Sequence, residues 1–363
     1  MDEKVLKIAF VGDVFPANLP YNRGFGVGAV QMDDMTQMAL ASRIKALFPE
    51  GQILVGNLES PVFQESPTLK NEKFAGSEGF LKMLKMAGFE LLSLANNHMM
   101  EHGERGLEST KQLLENNCLG YIGAEENGMP KFFMLERNGI RVGFVAFNEI
   151  DNQYNPDGTV CAYNRESVVE SIGRMKAFGL DYICVVLHWG DEFINRASKQ
   201  QMEDAHLFID AGANFVIGSH PHVVQPIEDY QGGLICYSLG NFVFDMKVPR
   251  STRVGMTISL SLGKDDYSYS ESFIWLDKDY FPVKLNAKKE KRIREMLLSE
   301  WKEMQLGENF DSKYNREKKC RRNRKRLMEK AVLVGNWFRF DSAVRSEMKQ
   351  YYRNKFMGKL IES

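Results

Sequence analysis

The chain reads as an α/β fold with a C-terminal helical extension, and two features of the sequence predict it. Short apolar runs with the character of buried strands alternate with amphipathic stretches as far as about residue 282. Beyond that point long, charged helical segments take over. Residues 1–282 therefore form one predicted α/β domain and residues 283–363 a basic helical extension.

In chain order, strands are predicted at Val5 to Val11, Ile53 to Gly56, Leu91 to Ala95, Arg141 to Phe147, Tyr182 to Leu187, Phe215 to Gly218 and Leu234 to Ser238. Helices are predicted between them, at Asp33 to Leu47, Gly79 to Ala87, Glu104 to Asn116, Arg165 to Ala177 and Lys199 to Ala211. Gly88, Gly179 and Gly212 follow three of these helices, where glycine accepts the left-handed conformation that ends a helix. Val254 to Leu262 and Tyr267 to Trp275 alternate apolar and polar residues, which predicts antiparallel strands. The extension offers helices at Lys288 to Met304, Asn315 to Val334 and Ser342 to Met357.

With 363 residues and 44% hydrophobic content the chain can bury a sizeable core. A formal net charge of -1 excludes a general polyanion or polycation binder, although from Lys288 onward basic residues outnumber acidic ones roughly two to one. The stretch Met1 to Ile8 enters a strand pattern with no basic n-region, and no segment offers about 18 uninterrupted apolar residues. The expectation is a soluble, cytoplasmic protein without a transmembrane segment. Five widely spaced cysteines without a C-x-x-C pair argue against a disulfide framework and a thiolate zinc site.

Five strands run straight into polar turns: Gly12-Asp13-Val14, Gly56-Asn57-Leu58-Glu59-Ser60-Pro61, Asn96-Asn97-His98, His188-Trp189-Gly190-Asp191-Glu192 and Gly218-Ser219-His220-Pro221-His222. In open α/β sheets the carboxyl ends of strands build the site, so these turns are placed to converge. They hold four of the six histidines in the chain. Histidine with carboxylate or amide ligands suits manganese, zinc or iron better than calcium, and two such ions bridged by a carboxylate would serve hydrolysis. Taken singly, Asp13 is more often a turn or helix cap and His188 a satisfied core histidine; five independent turns of one kind point to a metal site.

Other features are weaker. The Gly24 to Gly28 run lacks a phosphate-loop lysine and reads as a flexible loop, with Arg23 beside it as a candidate to grip an anionic substrate. Asn241 reads as a turn-fixing residue. The run Lys318 to Arg326 is dense enough for nucleic acid, anionic lipid or an acidic polymer. A solvated helix face is preferred over nucleic acid, with Leu327, Val332, Val334, Trp337 and Phe338 packing onto the α/β domain, a second subunit or a synthase complex.

The motifs resemble the CapA-type capsule synthesis, or poly-gamma-glutamate synthesis, family of the calcineurin-like metallophosphoesterase superfamily. The stretches that carry the resemblance are Gly212 to Glu228, Tyr237 to Asp245, Ser93 to His98 with Gly103 to Leu107, Asn57-Leu58-Glu59 and Leu187 to Gly190, within about residues 5–247. The resemblance implies a four-layer α/β sandwich with two metal positions. It implies Asp13 and His222 at one metal, Asn97, His188 and His220 at the other, and a bridging group at Asn57 or Glu59, of which the anionic Glu59 is the better bridge. It implies His98 facing the substrate, with Glu101 the nearest acidic residue to orient it. Phe15 and Asn57 depart from the phosphatase pattern, which leaves the Asn97, His188 and His220 position intact and makes the other conditional. The function so implied is metal-dependent hydrolysis of an anionic polymer or phosphate ester in capsule synthesis. The alternative is a non-catalytic polymer-binding or scaffold subunit.

Overall fold

The computed structural model describes residues 5–64, 74–150, 159–246, 248–305 and 310–340, together with 342, 344–346 and 348–350. Two mixed sheets face each other. The first orders its strands Pro282–Lys284, Tyr267–Leu276, Val254–Leu262, Leu6–Val14, Ile53–Leu58, Phe89–Ser93 and Gly120–Ile122, with Asn241–Val243 paired to Leu6–Val14 as well. The second runs Ile227–Tyr230, Gly233–Cys236, Phe215–Ser219, Tyr182–His188, Ile140–Asn148 and Phe133–Arg137. The central strands of both are parallel, so each is covered on both faces and reads as a continuous apolar run.

Side chains of the second sheet alternate between two cores. Phe144, Ala146, Cys184 and Val186 join the cluster against the first sheet, where Phe10 and Phe144 lie with ring centroids 6.3 Å apart. Val145, Phe147, Val185 and Leu187 instead meet Val168, Ile172, Ala205 and Phe208 of the helices Arg165–Lys176 and Lys199–Ala211. The helices Asp34–Lys45, Glu78–Ala87 and Gly103–Asn116 add Ile44, Leu81, Leu84 and Leu114 to the first core. The result is the helix, sheet, sheet, helix sandwich of four layers that the resemblance implied.

Local chemistry sets the helix ends. Ser198 Oγ accepts from the Gln201 backbone N–H, and Gln201 Oε1 accepts from the Ser198 N–H, a reciprocal cap that opens Lys199–Ala211. Gly212 closes that helix at φ +114°, a conformation a side chain would oppose.

Four of the five strands bearing polar turns extend further than the apolar runs suggest, whereas the one before Asn96 ends sooner, at Ser93. Leu6–Val14 includes Asp13, Ile53–Leu58 includes Asn57, and Tyr182–His188 ends on His188. Polar residues read as turn residues are here strand residues buried at the sheet ends. Phe133–Arg137 was not predicted, because an edge strand with every side chain at least partly exposed has no apolar alternation.

The extension forms Ala287–Gln305 and Phe310–Asn336, with further helix at 342, 344–346 and 348–350; the rest of the predicted Ser342 to Met357 helix lies outside the described residues. Phe310 and Tyr314 are buried in the second core. Buried Arg196 bonds Glu300 at 2.7 Å and also pairs with Glu317. Lys318 pairs with Asp191 at 2.6 Å and Lys325 with Glu192 at 3.1 Å. Val332 and Trp337 pack inward, whereas Leu327, Val334 and Phe338 stay 68%, 69% and 86% exposed. One helix buries one stripe; Leu327 and Val334 lie on the opposite face, and Phe338 stands in the turn that follows the helix. No helix among the described residues is long and apolar enough to cross a membrane.

Candidate metal centre

The sheet ends bring the polar residues together. Asp13 lies in register with Asn57, Asn57 with Ser93, and His188 with Ser219 on the facing sheet. A register shift between Phe10 and Asp13 re-aims the end of the first strand. There the Asp13 N–H donates to Gly240 O at 2.9 Å, and a Cβ on Gly12 would fall 1.8 Å from that same oxygen, so only glycine admits the crossing. Phe193, His220 and His222 hold φ of +69°, +94° and +55°, left-handed backbone that non-glycine residues keep only where the surrounding structure imposes it.

One donor group is formed by His188, His220 and Glu59. His188 Nε2 is 2.9 Å from Asn97 Oδ1, 3.2 Å from His220 Nδ1 and 3.7 Å from Glu59 Oε1. Ligand atoms held at about 2.1 Å from one cation sit at such separations from each other. Behind the ring, His188 Nδ1 is 3.1 Å from Ser219 Oγ and 3.2 Å from Asn57 Nδ2. Burial, and then the neighbouring histidines, lowers the pKa of His188 well below its ordinary value; burial drives that of His220 down to about 3. Both rings are neutral at physiological pH, the form that ligates metal.

The second group is Asp13, Glu59 and His222. His222 Nδ1 lies 3.3 Å from Asp13 Oδ2, and His222 Nε2 lies 3.8 Å from Glu59 Oε1. Asp13 also accepts from Asn57 Nδ2 at 2.8 Å and from the His220 N–H at 3.3 Å. Asn57 is thus a hydrogen-bonding partner of Asp13 and His188, held from behind by Asn96 Nδ2 at 3.1 Å. Phe15 stacks on Phe244 at 4.5 Å and adds no donor to this side.

Glu59 belongs to both groups. It is fully buried, and neither carboxylate oxygen has a hydrogen-bond partner. Burial, then Asp13 and Glu192, raises its pKa well above the usual carboxylate value. A buried carboxylate without donors is costly unless a cation compensates it, so the residues present fit a bound metal.

His98 stands at the edge of the group, its Nδ1 3.0 Å from Glu101 Oε1 and its Nε2 3.3 Å from Asn97 Nδ2, with Phe74 stacked on the ring at 4.5 Å. Arg23 is buried after the short helical turn Pro20–Asn22, whose Asn22 Nδ2 donates to Asp245 O. Two neighbours join them: Glu192, which in sequence is one member of a polar turn, and Asn241, expected there to fix a turn beside the site. Glu192 Oε1 is 4.0 Å from His222 Nε2; burial opposes its ionisation, but Lys325, His222 and His220 outweigh this and lower its pKa. Its place in the same turn as His188 was the available signal. Asn241 Oδ1 lies 2.9 Å from His222 Nδ1.

The family model described as Bacterial capsule synthesis protein PGA_cap matches residues 7–246. The chain is 35% identical over 206 residues to the capsule biosynthesis protein CapA of Bacillus anthracis, covering 52% of this chain and 50% of the relative. It therefore spans about half the length of that protein. It is 31% identical over 278 residues to the PGA biosynthesis protein CapA of Bacillus subtilis, covering 72% of this chain and 69% of the relative. Among solved structures, the calcineurin-like phosphoesterase YfkN from Bacillus subtilis aligns with a TM-score of 0.47 at 15% identity, covering 84% of this chain and 99% of that one.

Proposed function

Since the chain belongs to the bacterial capsule synthesis protein family, we propose that it is a metal-dependent hydrolase acting on an anionic polymer or phosphate ester in the making of a poly-gamma-glutamate capsule. The observation that carries the reading is Glu59, a buried carboxylate with no hydrogen-bond partner and histidine nitrogens on two sides at 3.7 and 3.8 Å. In this reading Asn97, His188, His220 and Glu59 hold one divalent transition metal, and Asp13, His222 and Glu59 hold a conditional second. A bound cation of this kind supplies Lewis-acid polarisation and makes water acidic near neutral pH. Asn57 orients Asp13 and His188. Glu101 fixes the His98 ring so that Nε2 can pass a proton to a departing oxygen. Arg23 is proposed to neutralise the substrate's charge. The α/β domain to residue 282 carries this chemistry, and the helices that follow brace it.

Phe15 supports a second reading, that of a polymer-binding accessory subunit, because the Asp13 side has only three protein donors among the described residues. Elemental analysis of purified wild type, His188→Ala and Asp13→Ala separates the two. Manganese, zinc or iron bound by wild type and lost in His188→Ala, with turnover of phosphodiester or γ-glutamyl substrates, supports the hydrolase. Protein that cannot be loaded with any of these metals overturns it.

A further inference from the structure

The longest helix of the extension closes a cavity beside the candidate metal centre. Its volume is about 460 Å³, inside the roughly 300–1,000 Å³ range in which small ligands and ligand segments bind. Arg250, Arg321, Arg324 and Lys325 line it over an apolar floor of Phe193 and Met328. Arg321 is neutralised by Glu317 at 2.6 Å, and Lys325 by Glu192 at 3.1 Å. Arg250 lies over the Trp275 ring at 5.4 Å and has no carboxylate partner among the described residues, and neither has Arg324. The cavity therefore has a surplus of two guanidinium groups, which bind carboxylates by paired, charge-assisted hydrogen bonds.

Its position ties it to the site. Phe193 forms part of the cavity wall, and its ring centroid is 6.2 Å from that of His222. Lys325 sits 4.6 Å over the Phe193 ring and holds Glu192, which reaches His222 Nε2 at 4.0 Å. The left-handed backbone of Phe193, whose N–H donates to Pro221 O at 2.8 Å, aims the ring into this gap.

We propose that this cavity is a carboxylate-binding subsite that grips an acidic polymer one or more residues away from the bond at the metal centre, with Arg250 and Arg324 as its recognition groups. The subsite rests on the reading of an acidic polymer as the ligand, and it does not require turnover. It gives the basic run of the extension a specific task in place of diffuse attraction.

The test uses the full chain, chelator-treated, with a short γ-linked glutamate oligomer as the probe and titration calorimetry as the readout. Wild type binds the oligomer at low salt, Arg250→Ala and Arg324→Ala each weaken it about tenfold, and the double variant more so. The oligomer also shields Cys320, an exposed thiol in the cavity wall, from alkylation. Metal content of each variant, measured on separate protein that has not met chelator, stays at the wild-type level. No oligomer binding by wild type, equal binding by the double variant, or tighter binding of inorganic phosphate than of the oligomer would each overturn the subsite. Absence of metal from wild type with arginine-dependent oligomer binding intact would overturn the hydrolase reading and leave the subsite standing.

Discussion

His222 Nδ1 lies 2.9 Å from Asn241 Oδ1, while Asn241 Nδ2 donates to Thr252 O at 3.0 Å. With its amide nitrogen committed, Asn241 offers only its oxygen, so His222 carries its proton on Nδ1 and turns a bare Nε2 toward Glu59. Asn241→Ala removes this orientation. Metal affinity at the Asp13 side is expected to fall about 10- to 100-fold, read by calorimetry, with the helical signal by circular dichroism unchanged. Equal affinity in the variant would count against any metal role for His222.

Glu59 makes the metal-free protein less stable than it need be. Its folded pKa is raised, so the stability it contributes is present below its unfolded value of roughly 4.3 and is lost as pH rises through the folded value. Glu59→Gln is expected to raise the melting temperature of chelator-treated protein at pH 7 while abolishing metal uptake. A lower melting temperature for that variant would contradict the burial argument.

The histidines work with the opposite sign. His220 falls to about 3 on folding, so the unfolded chain binds the extra proton between there and roughly 6.5. Stability is therefore present above that upper value and declines as pH is lowered. In the Glu59→Gln background, where the carboxylate no longer titrates, calorimetric melting temperatures are expected to drop steadily from pH 7 to pH 5. A flat profile would mean that His220 is not held neutral by burial.

His98→Ala is expected to cost about 10²- to 10⁴-fold in turnover with metal content unchanged, and Glu101→Ala to cost less, because it only loosens the ring. Loss of metal together with activity would reassign His98 to the ligand set.

Arg196 docks the extension through Glu300 and Glu317 from a buried position. Arg196→Ala leaves Glu300 without its arginine and Glu317 with Arg321 alone, and a loss on the order of 1–3 kcal/mol is expected in denaturant melts, with faster hydrogen exchange in residues 310–336. Exchange unchanged there would show that the apolar contacts of Phe310 and Tyr314 suffice.

The cores of the strands were legible because parallel strands covered on both faces leave uninterrupted apolar runs, as at Tyr182–His188. Their ends were not, because Asp13 and Asn57 are polar, and in sequence a buried polar strand end looks like a solvent-facing turn. The candidate site was legible for the converse reason: five strands each ended in chemistry-bearing residues. Glu192 could not be singled out because its pairing with Lys325 of the distant extension and its approach to His222 are visible only in the fold. Leu327, Val334 and Phe338 were expected to be buried on grounds of composition, yet helix geometry gives Val332 the inner face, and in the turn beyond Asn336 it is Trp337 rather than Phe338 that packs inward.

Asp13, Asn57 and Glu59 belong to one sheet and the turn that follows it, and Asn97 lies just beyond another strand of that sheet; His188, His220 and His222 come from the other sheet. A cation shared among them would be a rivet through two plates, each of which packs its own helices. Chelation should then loosen the seam between the plates before it unravels either one, and exchange of the amides around Asp13 and Ser219 would report that loosening first.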